Sequence, residues 1–377
     1  MESSPLIDYS TMLSLKSRII SLLLLSLINM ITMWDRYSTA GVLRSIQSFY
    51  SISDAEGGLL QTYFVIVYLR TSIPLIYLGD RVSRKRLIMI TSWSWFLIVS
   101  VSSFIPQHSF WLFLILRSLA AIADATIIII APSIISDLFI GISRVYALTV
   151  FYMFISIGIS SGLVAGTILT QFNAPWQWSI RVVPLIALPV LILSLFLLKD
   201  PPRGSNESSE MQDDSREGLW RGLSEICRVP TYWFAVGAIA CFNFMNKGSA
   251  WWQTSLFQEA IQATNETNAY QGFTLPEVQS ILSITGILSG IFVTPPMVWI
   301  ANNVQSPHRR STSVALLYLI LSCTGDGPAP AIVGWISDSL RGDNTDIQSR
   351  FHALIMVRES LFNHKHVIPY RLFSSVN

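Results

Sequence analysis

Charge is what this chain has least of. Only 13% of its 377 residues are Asp, Glu, Lys or Arg, against about 25% in a soluble globular protein. With hydrophobic residues at 51% and a mean hydropathy of +0.49, an ordinary water-soluble domain is excluded. Cysteine is scarce as well: Cys227, Cys241 and Cys323 lie in or beside apolar segments with no paired spacing, which argues against a disulfide framework or a zinc site. His108, His308, His352, His364 and His366 all fall outside the apolar runs, so histidine chemistry or haem ligation within them is not expected. The net charge of +2 comes from short basic clusters and not from one patch, which gives no reason to expect a nucleic-acid partner. No nucleophile–base pair, phosphate-cradling glycine loop or metal-ligand set is present. An enzyme, a cofactor and a metal are therefore not expected.

What is present is a series of apolar runs near the length that crosses a bilayer, about 20 residues. They lie near 19–43, 57–78, 87–106, 110–136, 146–170 and 178–198, and after a polar gap near 231–256, 278–300 and 312–337. No small-residue cleavage site follows the first run, so it reads as a span and not as a removable signal. Basic residues fall at alternate connections: Lys16 and Arg18 before the first run, Arg81, Arg84, Lys85 and Arg86 after the second, Arg144 after the fourth. Arg203, Arg216, Arg221 and Arg228 follow the sixth, whereas 50–56, 106–109 and 171–177 hold no Lys or Arg. The positive-inside rule then places residues 1–18 and the linker 199–230 in the cytosol. Six spans at 19–198, a cytosolic linker and a second set at 231–338 form the layout of a transporter built from two helical halves, with a polar tail at 339–377. Of two Asn-X-Ser/Thr sequons, Asn206 lies in the cytosolic linker, while Asn265 lies on the other side and is the expected glycosylation site.

Charges inside these runs are the candidate functional residues. Asp35 sits ~24 Å along the first helix from Ile19. A charge at that depth costs roughly 2.5–3.5 kcal/mol on insertion scales unless it faces a partner or a polar cavity. Arg36 follows it. In the fourth span Asp124 stands ~20 Å from Asp137 at the cytosolic end, and Arg117, seven residues earlier, is expected on the same face. Lys247 interrupts the seventh span, with Trp251 and Trp252 one turn later. On helix five, Gly158, Ser160, Ser161, Gly162 and Gly166 read as a packing seam.

One short loop carries a family resemblance. Leu78-Gly79-Asp80-Arg81-Val82-Ser83-Arg84-Lys85 resembles the G-x-L-x-D-R-x-G-R-K/R signature of the major facilitator superfamily, with Ile76 and Ser83 in place of its two glycines. In that signature Gly79, Asp80, Arg81, Arg84 and Lys85 would form a conformational gate. More specific stretches resemble the Spinster-type lipid transporters: Asp35-Arg36-Tyr37-Ser38-Thr39-Ala40-Gly41, Ser103-Phe104-Ile105-Pro106, Ala131-Pro132-Ser133-Ile134-Ile135-Ser136-Asp137, Asp200-Pro201-Pro202-Arg203-Gly204, Arg309-Arg310-Ser311-Thr312, Gly325-Asp326 and Gly334-Trp335-Ile336-Ser337-Asp338.

The resemblance implies an all-α, polytopic, major-facilitator-type bundle with six spans in the first half and an incomplete second half of about three. Sequence between Thr294 and Thr312 runs straight into the arginine pair that precedes helix eleven in the family, and no span follows Asp338. In such a fold the first and fourth helices line the cavity, so Asp35, Asp124 and Arg117 are expected to meet there and to couple transport to protons. Burial and a nearby arginine pull a carboxylate's proton affinity in opposite directions. Lys247, Arg36, Trp251 and Trp252 are expected to hold the substrate. The implied function is secondary transport of a lipid-like amphiphile, a lysophospholipid or sphingoid phosphate, across a lysosomal, late endosomal or plasma membrane. Its partners would be that substrate, membrane lipids and protons. The alternative is a shortened, non-transporting form that binds lipid or a full-length partner.

Overall fold

The computed structural model describes residues 14–172, 174–201 and 327–341, together with 244, 248, 250–258, 281, 284 and 288. The described helices are α1 Leu15–Gly41, α2 Leu43–Tyr50, α3 Asp54–Arg81, α4 Arg84–Ser102, α5 Phe110–Leu119, α6 Ala121–Leu138, α7 Ile142–Gln171, α8 Gln177–Leu197 and α9 Pro328–Arg341. Among the described residues five stretches are long and apolar enough to cross a membrane: Leu15–Gly41, Asp54–Gly79, Phe110–Leu138, Ile142–Leu169 and Gln177–Leu197. α4 has 19 residues and opens on Arg84-Lys85-Arg86, which leaves it a shorter apolar length than the 87–106 run suggested.

The first apolar run forms α1 up to Gly41, and beyond Val42 (φ −114°, ψ 17°) the short helix α2 follows. In the fourth run α5 passes into α6 at Ala120, which keeps helical backbone angles (φ −58°, ψ −25°), so Phe110–Leu138 crosses as one span. Pro74, Pro132, Pro184 and Pro189 all lie inside helices, as membrane spans tolerate. α3 begins with a full capping box: Ser53 Oγ accepts from Glu56 N at 3.2 Å and Glu56 Oε2 accepts from Ser53 N at 2.9 Å.

α1 and α7 pack closely, and small residues are the reason. A Cβ on Gly162 would stand 2.5 Å from the Trp34 carbonyl oxygen, and one on Gly166 3.0 Å from the Gly41 carbonyl carbon. Gly158 faces the Met30 carbonyl in the same way. Their spacing of four brings all three onto one α7 face, where the backbones approach without side chains between them.

Long-range hydrogen bonds sort the helix ends into two groups. At one end Arg18 Nη1 donates to Leu138 O at 3.5 Å, Lys199 N to Ser21 Oγ at 3.1 Å, and Arg84 Nε to Asp200 Oδ1 at 3.1 Å. At the other, Tyr50 OH donates to Ile105 O at 3.4 Å and Arg181 Nη2 to Ser103 O at 3.0 Å, and Tyr50 stacks on Phe113 at 5.3 Å between centroids. Arg18, Arg81, Arg84, Lys85, Arg86 and Lys199 cluster at the first end, the one that the positive-inside rule assigns to the cytosol.

Candidate functional site

The buried charges of the first and fourth spans meet nearer the Gly41 end of α1 and the Phe110 end of α5 than the middle of either span. Asp35 is 1% exposed and Arg117 4%. Arg117 Nη1 donates to Asp35 Oδ1 at 2.8 Å and Oδ2 at 3.0 Å, while Nη2 reaches the Asp35 carbonyl at 3.0 Å and Thr39 Oγ1 at 2.6 Å. Trp95 of α4 adds its indole N–H to Asp35 Oδ2 at 3.2 Å. Both carboxylate oxygens are thus spent, and three spans are tied at one point. A buried ion pair of this kind is sound only when its remaining donors and acceptors are satisfied, and here they are.

Arg117, expected on the same face as Asp124, spends its hydrogen bonds on Asp35 and Thr39 of α1. Asp124 is 2% exposed, in the first turn of α6, and its Oδ2 accepts no hydrogen bond among the described residues. The charges of Arg36, Asp35 and Arg117 all act on it.

Arg36 differs from its neighbour Asp35 in having capacity to spare. It is half-buried. Its Nε donates to Gln61 Oε1 of α3 at 3.3 Å, and its guanidinium lies 4.5 Å from the centroid of the Phe64 ring, a cation–π arrangement. Its Nη2 is buried without a hydrogen-bond partner among the described residues. One cation and one carboxylate in this region therefore keep a free atom each, Arg36 Nη2 and Asp124 Oδ2. A lone amide in the apolar 57–78 run was a signal for Gln61; for Trp95, Phe64 and Thr39 the sequence held none.

In the cytosolic loop, Arg84 is 4% exposed and forms a bracket. It pairs with Asp137 at the end of α6, donates to Asp200 Oδ1 at 3.1 Å and to the Pro201 carbonyl at 2.6 Å, and so joins three helix ends of one half. Ser83, standing where the signature has glycine, caps α4 and donates to Asp200 Oδ2 at 3.1 Å. Lys85 Nζ reaches the Leu195 carbonyl at 2.8 Å, and Arg81 stacks on Tyr77 at 4.2 Å. A Cβ on Gly79 would meet only Ile130 side-chain atoms at 3.9 Å, so close approach does not require a glycine there. Asp80 lies in the last turn of α3.

Trp251 and Trp252 are 4% and 3% exposed. Trp252 gives its indole N–H to the Pro330 carbonyl of α9 at 2.9 Å, a helix-to-helix bond. The Trp251 N–H has no partner among the described residues. Lys247 and Asn265 lie outside the described residues. Among the described residues no group of three or more His, Cys, Asp or Glu side chains is placed to hold a metal.

A family model described as the Major Facilitator Superfamily matches residues 25–336. The chain is 32% identical to protein spinster homolog 1 of Mus musculus over 379 residues, covering 83% of this chain and 72% of that protein. It is 28% identical to the sphingosine-1-phosphate transporter SPNS2 of Mus musculus, covering 86% of this chain and 70% of that one. A crystal structure of a bacterial homolog to human lysosomal transporter Spinster, inward-facing and unoccupied, superposes with a TM-score of 0.70 at 18% identity, covering 92% of this chain and 94% of that one. That likeness is one of fold. The match to the first mouse protein is 379 residues long while taking in 83% of the present chain, so that relative carries internal sequence with no counterpart here.

Proposed function

This chain belongs to the Spinster-type members of the Major Facilitator Superfamily, and on that premise we propose that it carries a lipid-like amphiphile across the membrane in exchange for the energy of a proton gradient. It is an all-α, multi-pass integral membrane protein, and the proteins it resembles are transporters and not enzymes. The proposed cargo is a lysophospholipid or sphingoid phosphate, in keeping with the name of the second mouse relative. The proposed location is a lysosomal, late endosomal or plasma membrane.

The observation that carries this reading is the pair of unspent atoms in the buried site, Asp124 Oδ2 and Arg36 Nη2. A carboxylate oxygen left without a partner away from water is costly, and taking up a proton removes that cost. Arg36 offers a phosphate a charge-assisted hydrogen bond, with Phe64 and Trp251 as apolar wall. A proton on Asp124 cancels the carboxylate that would repel the headgroup, so proton and anion favour each other's binding through the low-dielectric interior. Release of the proton on the other side restores the repulsion and expels the headgroup. Lys247 would add a second cation from the other half. The six-helix half 19–198, the linker 199–230 and the shorter half 231–338 are the proposed units.

The test is uptake of a fluorescent lysophospholipid into proteoliposomes under an imposed pH gradient. Asp124→Asn should abolish the gradient-driven component and leave gradient-independent exchange. Gradient-driven uptake that survives this substitution would refute the coupling role. The length of the mouse match supports one other reading: a non-transporting form that binds lipid or a full-length partner. Lipid binding by the purified chain with no uptake under any gradient would select it.

A further inference from the structure

Helix α3 enters the membrane from the non-cytosolic side, and its first turn is completed by a residue from the far end of the chain. The accounting is full. Glu56 N donates to Ser53 Oγ at 3.2 Å and Gly57 N to Ser53 O at 3.0 Å. The two remaining amides, which α3 cannot satisfy itself, belong to Asp54 and Ala55. Asp54 N donates to Asp338 Oδ1 at 3.2 Å and Ala55 N to Asp338 Oδ2 at 2.8 Å. One carboxylate at the end of α9 thus caps a helix of the opposite half, where the helix dipole favours negative charge.

Three further features fix the contact. Ser337 Oγ donates to Asp54 Oδ2 at 3.1 Å, and Gln47 Nε2 to Asp54 Oδ1 at 2.9 Å, which offsets the second carboxylate beside Asp338. Thr62 Oγ1 donates to the Gly327 carbonyl at 2.6 Å. Glycines let the backbones touch: a Cβ on Gly58 would stand 2.5 Å from Pro330 O, and one on Gly334 would run into the Asp54 carbonyl. The hydrogen bonds of Asp338, Ser337 and Gly327 to the other half gather on the first turns of α3. The two freed amides would be hydrated if α9 withdrew, because they lie at the aqueous end of the helix, so the contact is reversible.

We infer that Asp338, with Gly334 and Gly58, is the outer latch of this transporter, the contact that must part before the pathway opens to the non-cytosolic side. It rests on the two-half fold and on neither the cargo nor the coupling ion, so it stands or falls apart from the function proposed above. Val65 is 3% exposed and lies seven residues from Gly58, on the same face of α3, behind the latch. A cysteine there reports the latch through its reaction with a membrane-impermeant maleimide added to the non-cytosolic side, the parent chain with its native cysteines being the control. Asp338→Asn and Gly334→Leu should each speed that reaction on the order of tenfold, the equivalent of one charge-assisted hydrogen bond. Asp338→Glu should restore most of the slow rate. Should Gly334→Leu fail to insert, the near-isosteric Asp338→Asn decides alone. An unchanged rate in inserted Asp338→Asn protein overturns the latch, and so does an equal rise with reagent added from the cytosolic side, which would mean general loosening.

Discussion

Arg117 and Asp35, 82 positions apart, hold each other through two contacts of 2.8 and 3.0 Å from Nη1 to the carboxylate oxygens, while Arg36, adjacent to Asp35 on the helix, points another way, to Gln61 and Phe64. Arg117 is thus consumed by structure, and in this site the cation with an unspent nitrogen is Arg36.

Breaking the Asp35–Arg117 pair from either side should destabilise the protein by about 3–5 kcal/mol, because the survivor is left as an uncompensated buried charge. Asp35→Leu and Arg117→Leu are each expected to lower the melting temperature of the purified protein sharply. The double variant should lose much less than the sum. Additive losses would show that the two side chains do not depend on each other.

Arg36→Gln should weaken a phosphorylated lysolipid about ten- to a hundred-fold, the equivalent of roughly 1.5–3 kcal/mol. The dephosphorylated analogue should bind almost as before, since its acyl contacts remain. Scintillation proximity binding with both ligands measures the difference. Equal losses would assign Arg36 to packing against Phe64 and Gln61.

Gly162→Leu should prevent normal insertion or cost well over the roughly 1–3 kcal/mol of ordinary overpacking, because the obstacle is the Trp34 backbone oxygen at 2.5 Å and not a side chain that can turn aside. Ser161→Ala, one position away and half-buried, should be nearly neutral. Fluorescence-detected size exclusion of the two variants tests this; similar profiles would contradict the seam.

Topology can be checked on the intact chain. α9 runs from the membrane towards the end that holds Tyr50 and Asp54, so the residues after Arg341 are expected on the non-cytosolic side. Asn265 should be the glycosylated sequon, and Asn206 should remain unmodified. A C-terminal tag protected from protease added on that side, or a glycan that survives Asn265→Gln, would mean a miscounted span.

Over residues 14–201 the sequence by itself determined the spans and their order, and it supplied the expected sidedness. Apolar runs of bilayer length and basic residues at alternate ends are local properties, and no distant contact is needed to impose them. The stretches around Asp35, Asp80 and Asp137 also carried the family. The seam on α7 was legible because three glycines at a spacing of four must share a face. Partner choice was not legible. Arg117 takes Asp35 of another helix, 82 positions away, and nothing local to either residue announces that pair. Nor does anything near Ser53 reveal that two amides of α3 wait for Asp338, 283 positions beyond Ala55. Those outcomes were decided by tertiary structure, since a buried charge or an open helix end takes the nearest partner in space, and that is fixed only when the helices pack.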